Sequence, residues 1–394
     1  MESTAAIRKR KQGSPIPLAI LCCLPLAAVS LITMFGHPPL SDFITYWSAG
    51  RLFDLRQNPY SMAQTLVLER GLGWSREFTL VMLCPPWTLP VVALAGLFPF
   101  REAQAGWFWI ALALNGLSAV ALWRYFGGAW RSAWIALAIA LTFTPLAGAQ
   151  FLGQITPLML ASLTAFLLLM RAESWFWAGV SLLGLVLKPQ LLWLVLLAVL
   201  LWALREKKVS LLLGGLVAAA AATAGALWFD PLASHYFHDA YGAAMATDCG
   251  LGGALRLMFG HDRRWLQYVP CVAGVAWFGW YWVRHRRTWS WREDLPLLLI
   301  VSVASSPYCW LHDFILILPA WIALGVRGVY RSVPVMAGWL IVQGVVLIPG
   351  NSAASAALSA LWIPLWLYAR AETERMEKSR AAGVTAATPA DVPA

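Results

Sequence analysis

Apolar runs of membrane-spanning length recur along almost the whole chain, and they restrict its fold more than any other feature. The first run is Pro17 to Phe35, and the others lie at about 79–99, 104–123, 131–148, 153–170, 174–187, 190–204, 209–228, 266–283, 295–308, 311–326, 331–348 and 353–369. A helix needs about 20 apolar residues to cross a bilayer. Only 12% of the 394 residues are charged, about half the fraction that is usual in soluble domains. The sequence therefore predicts an all-α integral membrane protein.

Basic residues cluster at the ends of these runs and predict their orientation. Arg8 to Lys11 precede the first run, whereas Arg205 to Lys208 and Arg284 to Arg287 follow later ones. Short loops rich in Lys and Arg mark the cytoplasmic face, and a polybasic lipid-binding site is the alternative. Clusters at run ends do not suggest a nucleic-acid partner. Both termini are predicted to be cytoplasmic, with two longer loops, 36–78 and 229–265, on the outer face.

This orientation requires an odd number of spans between residues 79 and 204, where six apolar runs occur. The run 131–148 is short and ends in Thr144-Pro145, and irregular backbone at membrane depth is tolerated where it lines a cavity. We predict that this run is re-entrant or does not span, which leaves twelve transmembrane helices. The predicted organisation is a basic cytoplasmic N-terminus (1–16), a transmembrane domain (17–370) and a disordered cytoplasmic tail (371–394).

Three ionisable residues stand out at the predicted outer boundary of the membrane. Asp42 lies among aromatic residues, where desolvation favours a general base, although it could instead cap a helix that starts at Phe43. His312 follows an apolar run, where a functional role is the default hypothesis. The alternative for His312 is a hydrogen bond to Asp313 or to a free carbonyl at Pro307.

Lys188 separates two apolar runs, and its position admits two interpretations. The side chain could extend to the interface, or it could pair with a lipid phosphate as a point charge. A metal site is not predicted, because the six cysteines form no CxxC pair and no HExxH pattern is present. His235 and His238, at positions i and i+3, are better explained by the surface of a helix.

The opening motif of the chain resembles that of a known enzyme family. Asp42-Phe43-x-x-Tyr46-Trp47-x-Ala49-Gly50-Arg51, followed by Asn58-Pro59-Tyr60, is similar to the first motif of the polyprenyl-phosphate-mannose-dependent mannosyltransferases, glycosyltransferase family 87. Further motifs follow in the order of the family: Pro85-Pro86, Gly153-Gln154, Lys188-Pro189 and Ser306-Pro307-x-x-Trp310-x-His312. The resemblance covers residues 1–370 and implies the GT-C membrane fold.

The resemblance also implies an activity and a set of site residues. Such enzymes transfer a sugar from a polyprenyl-phosphate carrier to an acceptor hydroxyl with inversion. Mannose is the expected sugar, and arabinose or another sugar is the alternative. Asp42 matches the general base, and His312 matches the first histidine of a Trp-x-His-His pattern, whose second histidine is Asp313 here. Lys188, with Arg51 and Arg256, is expected to bind the donor phosphate. The remaining expected substrate contacts are Tyr46, Trp47, Tyr60, Gln154 and Trp310.

The expected partners are the polyprenyl-phosphate sugar, membrane lipids and a glycolipid or polysaccharide acceptor. The expected location is the cytoplasmic membrane, with the active site on its outer side. No cofactor is expected, although the sequence leaves a divalent metal open. A polytopic transporter or a lipid-linked sugar flippase is the alternative function, but the halves of the chain show no repeat of the kind that transporters often have. A membrane scaffold is a third hypothesis, and the ionisable residues at one face argue against it.

Overall fold

The structure, a computed structural model, describes residues 27–28, 31–32, 35–36, 42–80, 82–236, 238, 249–345 and 351–385. Regular secondary structure in these ranges is entirely helical, which confirms the predicted all-α class. The α-helices are α1 (Asp42–Asp54), α2 (Met62–Gly71), α3 (Leu89–Gly96), α4 (Phe100–Tyr125), α5 (Trp134–Leu141), α6 (Thr144–Leu152), α7 (Thr156–Arg171), α8 (Trp175–Leu185), α9 (Trp193–Arg205), α10 (Val209–Phe229), α11 (Gly250–Phe259), α12 (Val269–His285), α13 (Leu295–Ala304), α14 (Leu318–Val326), α15 (Val333–Val345) and α16 (Asn351–Thr385).

The prediction of twelve spans is not confirmed. Among the described residues, α4 and α10 are the two helices that are long and apolar enough to cross a bilayer by length and composition. Most of the other predicted runs form helices of 10–17 residues. Prolines explain part of this shortening, because a proline inside an apolar run removes a backbone donor and starts a new helix. The predicted first span, 17–35, lies almost wholly outside the described residues.

The apolar run 131–148 is broken, as its sequence suggested. Helices α5 and α6 meet at an angle of 68° across Thr142 and Phe143. Gln343 of α15 stabilises the break, because its Oε1 accepts hydrogen bonds from the backbone N of Thr144 at 2.9 Å and from its Oγ1 at 2.6 Å. The bend agrees with either a broken span or a re-entrant loop, so the prediction that this run does not span stays a prediction.

The C-terminal tail differs from its prediction. Residues from Ala371 were expected to be disordered, but α16 continues as far as Thr385. The sequence between them is rich in Ala, Glu, Lys and Arg, which favour helix. Side-chain pairs at helical spacing add support, with Arg370 Nε 3.1 Å from Glu374 Oε1 and Arg375 Nη2 2.9 Å from Glu372 Oε1. The composition of this segment suggested a polar, disordered tail, whereas the helix propensity of its residues favours the helix that is observed.

Tryptophan side chains join the C-terminal helices to the break between α5 and α6. The rings of Trp321, Trp339 and Trp362 contact one another, with centroids 4.8–5.8 Å apart. Phe143, at the break itself, stacks on Trp339 at 5.6 Å. All four side chains are buried. This packing fixes α14, α15 and α16 against the bend, and it thereby sets the direction in which α6 points.

Candidate active site

The start of α1 and the end of α6 meet at Gly153. This glycine ends α6 in the left-handed conformation, with φ at +67°, which favours glycine over other residues. A Cβ at Gly153 would lie 2.6 Å from the Cβ of Phe43, so a larger residue would separate the two helices. The chain continues directly into Gln154, which therefore lies beside Asp42. The Gly153-Gln154 motif is thus a helix end that brings an amide to a carboxylate.

Gln154 connects the predicted base to the predicted phosphate-binding lysine. Its Nε2 donates a hydrogen bond to Asp42 Oδ2. Its Oε1 accepts hydrogen bonds from Tyr46 OH at 2.9 Å and from Lys188 Nζ at 3.0 Å. Since both donors face the amide oxygen, the amide NH2 must face Asp42. Gln154 is 3% exposed, so the amide orients the Asp42 carboxylate from within the protein.

Lys188 lies in the connection between α8 and α9, outside both helices, and forms a buried ion pair. Its Nζ is 2.9 Å from Asp313 Oδ1, and the Asp313 side chain has no solvent exposure. Burial lowers the pKa of Lys188, but the neighbouring Asp313 carboxylate raises it, and the net pKa lies above its ordinary value. This pair joins two segments that are distant in sequence.

His312 lies next to Asp313. It completes a cluster of polar side chains whose members are Asp42, Tyr46, Gln154, Lys188, His312 and Asp313. Its Nε2 is 3.7 Å from Asp313 Oδ1, which is beyond hydrogen-bond distance. The imidazole is buried, and Nε2 has no hydrogen-bond partner among the described residues. The expected alternative, a histidine hydrogen-bonded to Asp313, is therefore not the observed arrangement. A buried nitrogen without a partner costs free energy unless a ligand satisfies it.

Asp313 is the functional candidate that the sequence analysis missed. It was considered only as a departure from the family's second histidine and as a possible partner of His312. The structure places it at the start of a 3-10 helix, Leu311–Ile317, where Oδ2 accepts a hydrogen bond from the backbone N of Trp310 at 2.9 Å. The available signal was an acidic residue that opens an apolar run, because such residues are costly unless paired.

The two predicted arginines are not brought into this cluster by their contacts. Arg51 lies nine residues after Asp42 on α1, a rise of about 14 Å, and its Nη1 is 3.4 Å from the carbonyl of Gly96. Arg256 is buried on α11 and donates to the carbonyl of His261 at 3.1–3.2 Å. It also contacts Gln267 Oε1 at 3.3 Å. Their proposed role in donor binding therefore stays a prediction.

The aromatic candidates are divided between the cluster and the surrounding packing. Tyr46 belongs to the cluster through Gln154. Trp47 donates to the carbonyl of Phe98 at 2.9 Å, and Tyr60 donates to the carbonyl of Cys84 at 3.1 Å, so both are structural in their observed contacts. Trp310 is half-buried, and its Nε1 donates to Tyr308 OH at 2.7 Å. Of these four aromatic residues, Tyr46 and Trp310 are thus the ones adjacent to the ionisable residues.

Asp42, His312 and Asp313 are of residue types that bind metal ions, but these described residues do not form a metal-binding group. Within the part of the chain that the structure describes, no three His, Cys, Asp or Glu side chains lie close enough to hold a metal ion. His235 is exposed, and its Nδ1 is 3.2 Å from Asn58 Nδ2. Asp239 and Asp248 of the same loop, which the sequence also offers as candidate ligands, lie outside the described residues. The metal requirement therefore stays open.

Ionisable side chains gathered at the ends of apolar helices define a membrane-associated protein with an enzyme-like polar site. A model of glycosyltransferase family 87 matches residues 83–311 of the chain, and the chain belongs to that family. The resemblance drawn from the motifs is thereby confirmed, and the activity is that of a glycosyltransferase. No curated protein and no solved structure matches the chain.

The matched segment includes only part of the cluster. Gln154, Lys188 and Trp310 lie within it, whereas Asp42 lies before it and His312 and Asp313 directly follow it. The structure nevertheless brings residues from inside and outside this segment into direct contact. The roles of the individual side chains therefore have to be argued from their geometry.

Proposed function

We propose that this glycosyltransferase transfers a sugar, mannose in the first instance, from a polyprenyl-phosphate carrier to an acceptor hydroxyl with inversion. In that reaction the acceptor oxygen attacks the anomeric carbon, and the bond from that carbon to the phosphate oxygen breaks. The phosphate leaves with the electron pair, and the hydroxyl proton passes to a base. The observation that carries the proposal is the chain of contacts from Asp42 through Gln154 and Lys188 to Asp313.

Asp42 is suited to accept the hydroxyl proton. It is the half-exposed member of a cluster whose other ionisable groups are buried. A carboxylate has about four acceptor positions, so the bond from Gln154 leaves capacity for an acceptor hydroxyl. A single base on one side of the sugar agrees with inverting transfer, in contrast to the nucleophile and acid pair of retaining hydrolases.

Lys188 and His312 are suited to receive the phosphate. An ammonium has three N–H donors, and the bonds to Gln154 and Asp313 engage two of them. The third donor and the unpartnered Nε2 of His312 both lie within the cluster. Positive charge and hydrogen-bond donors at the leaving oxygen stabilise the charge that develops in the transition state. Asp313 keeps Lys188 in place between turnovers.

An apolar groove next to Lys188 fits the polyprenyl chain of the proposed donor. The groove encloses about 220 Å³ between α8, α9 and α10, and every residue that lines it is apolar. Its lining includes Val186, two residues before Lys188. Trp87 holds Val186 in place, because its Nε1 donates to the carbonyl of Val186 at 2.8 Å. A lipid bound in this groove would therefore lie along the residues that lead into Lys188.

The proposed setting is the cytoplasmic membrane, with both termini in the cytoplasm and the cluster on the outer side. The proposed partners are the polyprenyl-phosphate sugar, membrane lipids and a glycolipid or polysaccharide acceptor, without nucleic acid. A lipid phosphate is already a competent leaving group, so a metal is not compulsory for the proposed reaction. Arg51 and Arg256 remain proposed contacts of the donor phosphate, although their observed hydrogen bonds lie outside the cluster.

The decisive experiment is sugar transfer by the purified protein in nanodiscs. Radiolabelled polyprenyl-phosphate mannose and a membrane-lipid extract would be supplied to wild type, to Asp42→Asn and to the matched control Asp54→Asn at the other end of α1. We expect transfer by wild type and the control, and its loss in Asp42→Asn. The anomeric configuration of the product, read by NMR, tests inversion.

Two results would contradict the proposal. Equal transfer by Asp42→Asn and wild type would remove Asp42 as the base while keeping the enzyme. Failure of the folded wild type to transfer mannose, a pentose or a hexosamine from any polyprenyl-phosphate donor would contradict the donor class. Movement of the intact donor across the bilayer without transfer would then favour the flippase alternative.

A further inference from the structure

A second polar site lies where α16 packs against the bundle. It is a pocket of about 160 Å³ between the residues that follow α4, the start of α13, the end of α14 and the middle of α16. Three arginines, Arg292, Arg327 and Arg370, line it together with a single acidic residue, Glu293. Neither the family match nor the proposed transfer reaction assigns a role to this group of cations.

The pocket lies at the opposite end of the helices from the candidate active site. Helix α13 begins at Leu295, next to the pocket residue Pro296, and ends ten residues along at Ala304, on the way to the segment that carries His312 and Asp313. The next helical segment returns from Asp313 to Arg327 at the pocket. Ten helical residues span about 15 Å, so the pocket is a separate site. Basic residues at this end agree with the face that the charge pattern assigns to the cytoplasm.

The arginines retain donors for a ligand. Arg292 Nη2 donates to the carbonyl of Phe126, and Arg327 Nη2 pairs with Glu293. Arg370 Nε pairs with Glu374. A guanidinium carries five N–H donors, and each of these contacts engages one nitrogen. The side chains of Arg327 and Arg370 are 30% and 34% exposed, so both arginines are partly accessible from outside.

The positions of the arginines are built into the fold. Gly127 has φ at +96°, and a Cβ at that residue would clash with Nη2 of Arg292. Arg370 lies over the ring of Trp366, with its Cζ 5.6 Å from the ring centroid. Trp366 is itself buried, and its Nε1 donates to the carbonyl of Ala320 at 3.3 Å. The pocket therefore combines a cationic rim with an apolar base.

We propose that this pocket binds the phosphate group of an anionic phospholipid. The planar guanidinium matches the oxygens of a phosphate in bidentate geometry. Basic pockets between transmembrane helices on the cytoplasmic side are suited to phospholipid headgroups. The apolar residues at the base, which include Pro296, Leu324 and Trp366, accommodate the glycerol and the first acyl carbons, and a free phosphate would leave them uncovered. The bound lipid would link α16 to the bundle.

Binding is tested on the full-length protein in detergent, without any measurement of transfer. Three probes separate the parts of the ligand: phosphatidylglycerol, diacylglycerol without phosphate, and inorganic phosphate without acyl chains. We expect phosphatidylglycerol alone to form a retained complex in native mass spectrometry and to raise the Tm. The triple variant R292Q/R327Q/R370Q should bind it at least tenfold more weakly. The control Arg375→Gln, on the same helix but outside the pocket, should bind as wild type does.

A milder variant keeps the test valid if the triple variant does not fold. Gly127→Ala displaces Arg292 and removes no charge, and it should weaken phosphatidylglycerol binding severalfold. Wild-type binding by both variants would overturn the proposal. Equal binding of diacylglycerol would also overturn it, because phosphate would then play no role. An equal rise in Tm with inorganic phosphate would overturn the assignment to a lipid and would indicate a site for free phosphate.

Discussion

Lys188 and Asp313 form a buried ion pair, with Nζ and Oδ1 2.9 Å apart, although the two residues are 125 positions apart in sequence. Asp313 also caps its own turn through the backbone N of Trp310. The pair thus joins the connection between α8 and α9 to the turn that carries His312. The position of the lysine in the candidate active site consequently depends on a carboxylate from a distant segment.

Removal of either partner of this pair should destabilise the protein strongly. We expect Lys188→Met and Asp313→Leu each to lower the free energy of unfolding by roughly 3–5 kcal/mol, because the remaining charge is buried without a partner. The double variant should recover much of this loss and still lack transfer activity. Unfolding in detergent, monitored for all four proteins, provides the measurement. Single variants as stable as wild type would show that the pair is solvated in the protein.

Gln154 should act on turnover rather than on donor affinity. Gln154→Leu removes the hydrogen bond to the Asp42 carboxylate, and bonds to charged groups contribute about 1.5–3 kcal/mol. We therefore expect kcat to fall by roughly 10–150-fold, with a smaller change in KM. Gln150→Leu, one turn earlier on α6, removes hydrogen bonds to Asn115 and Phe108 and should affect stability only. A change confined to KM would indicate that Gln154 contacts substrate directly.

The apolar groove should determine how well a long-chain donor binds. Ala219→Phe places a ring in the groove, and we expect KM for a long-chain donor to rise roughly tenfold, the equivalent of two buried methylene groups. A donor with a short prenyl chain should be almost unaffected. Leu213→Phe, an exposed position on the same helix, is the control. Equal KM changes for both donor lengths would place the prenyl chain elsewhere.

The contact between α8 and α10 should be sensitive to a single methyl group. A Cβ at Gly179 would clash with the carbonyl of Leu211, so we expect Gly179→Ala to destabilise the protein by about 1–3 kcal/mol. A Cβ at Gly225 on α10 would meet no described atom within 4 Å, and Gly225→Ala should be neutral or stabilising. The Tm values of the two variants in detergent compare them directly. Equal Tm values would show that the helices separate at no cost.

Much of the candidate site could be predicted from the sequence because ionisable residues are conspicuous in apolar surroundings. Asp42, Lys188 and His312 were identified in this way, and the structure brings them together. The family and the helical class were also predicted correctly. The extent of α16 was not, since a charged, alanine-rich segment has both the composition of a tail and the propensity of a helix.

The sequence by itself determined which residues are costly to bury and therefore need partners. Only the tertiary structure decided which side chains those partners are. Gln154 reaches Asp42 because Gly153 ends α6 against Phe43, and Lys188 reaches Asp313 because two connections meet. Arg51 has chemistry that is equally visible in sequence, yet it lies at the other end of α1 from Asp42. Hydropathy and charge are local properties, whereas contacts between distant segments depend on helix direction, bends and packing.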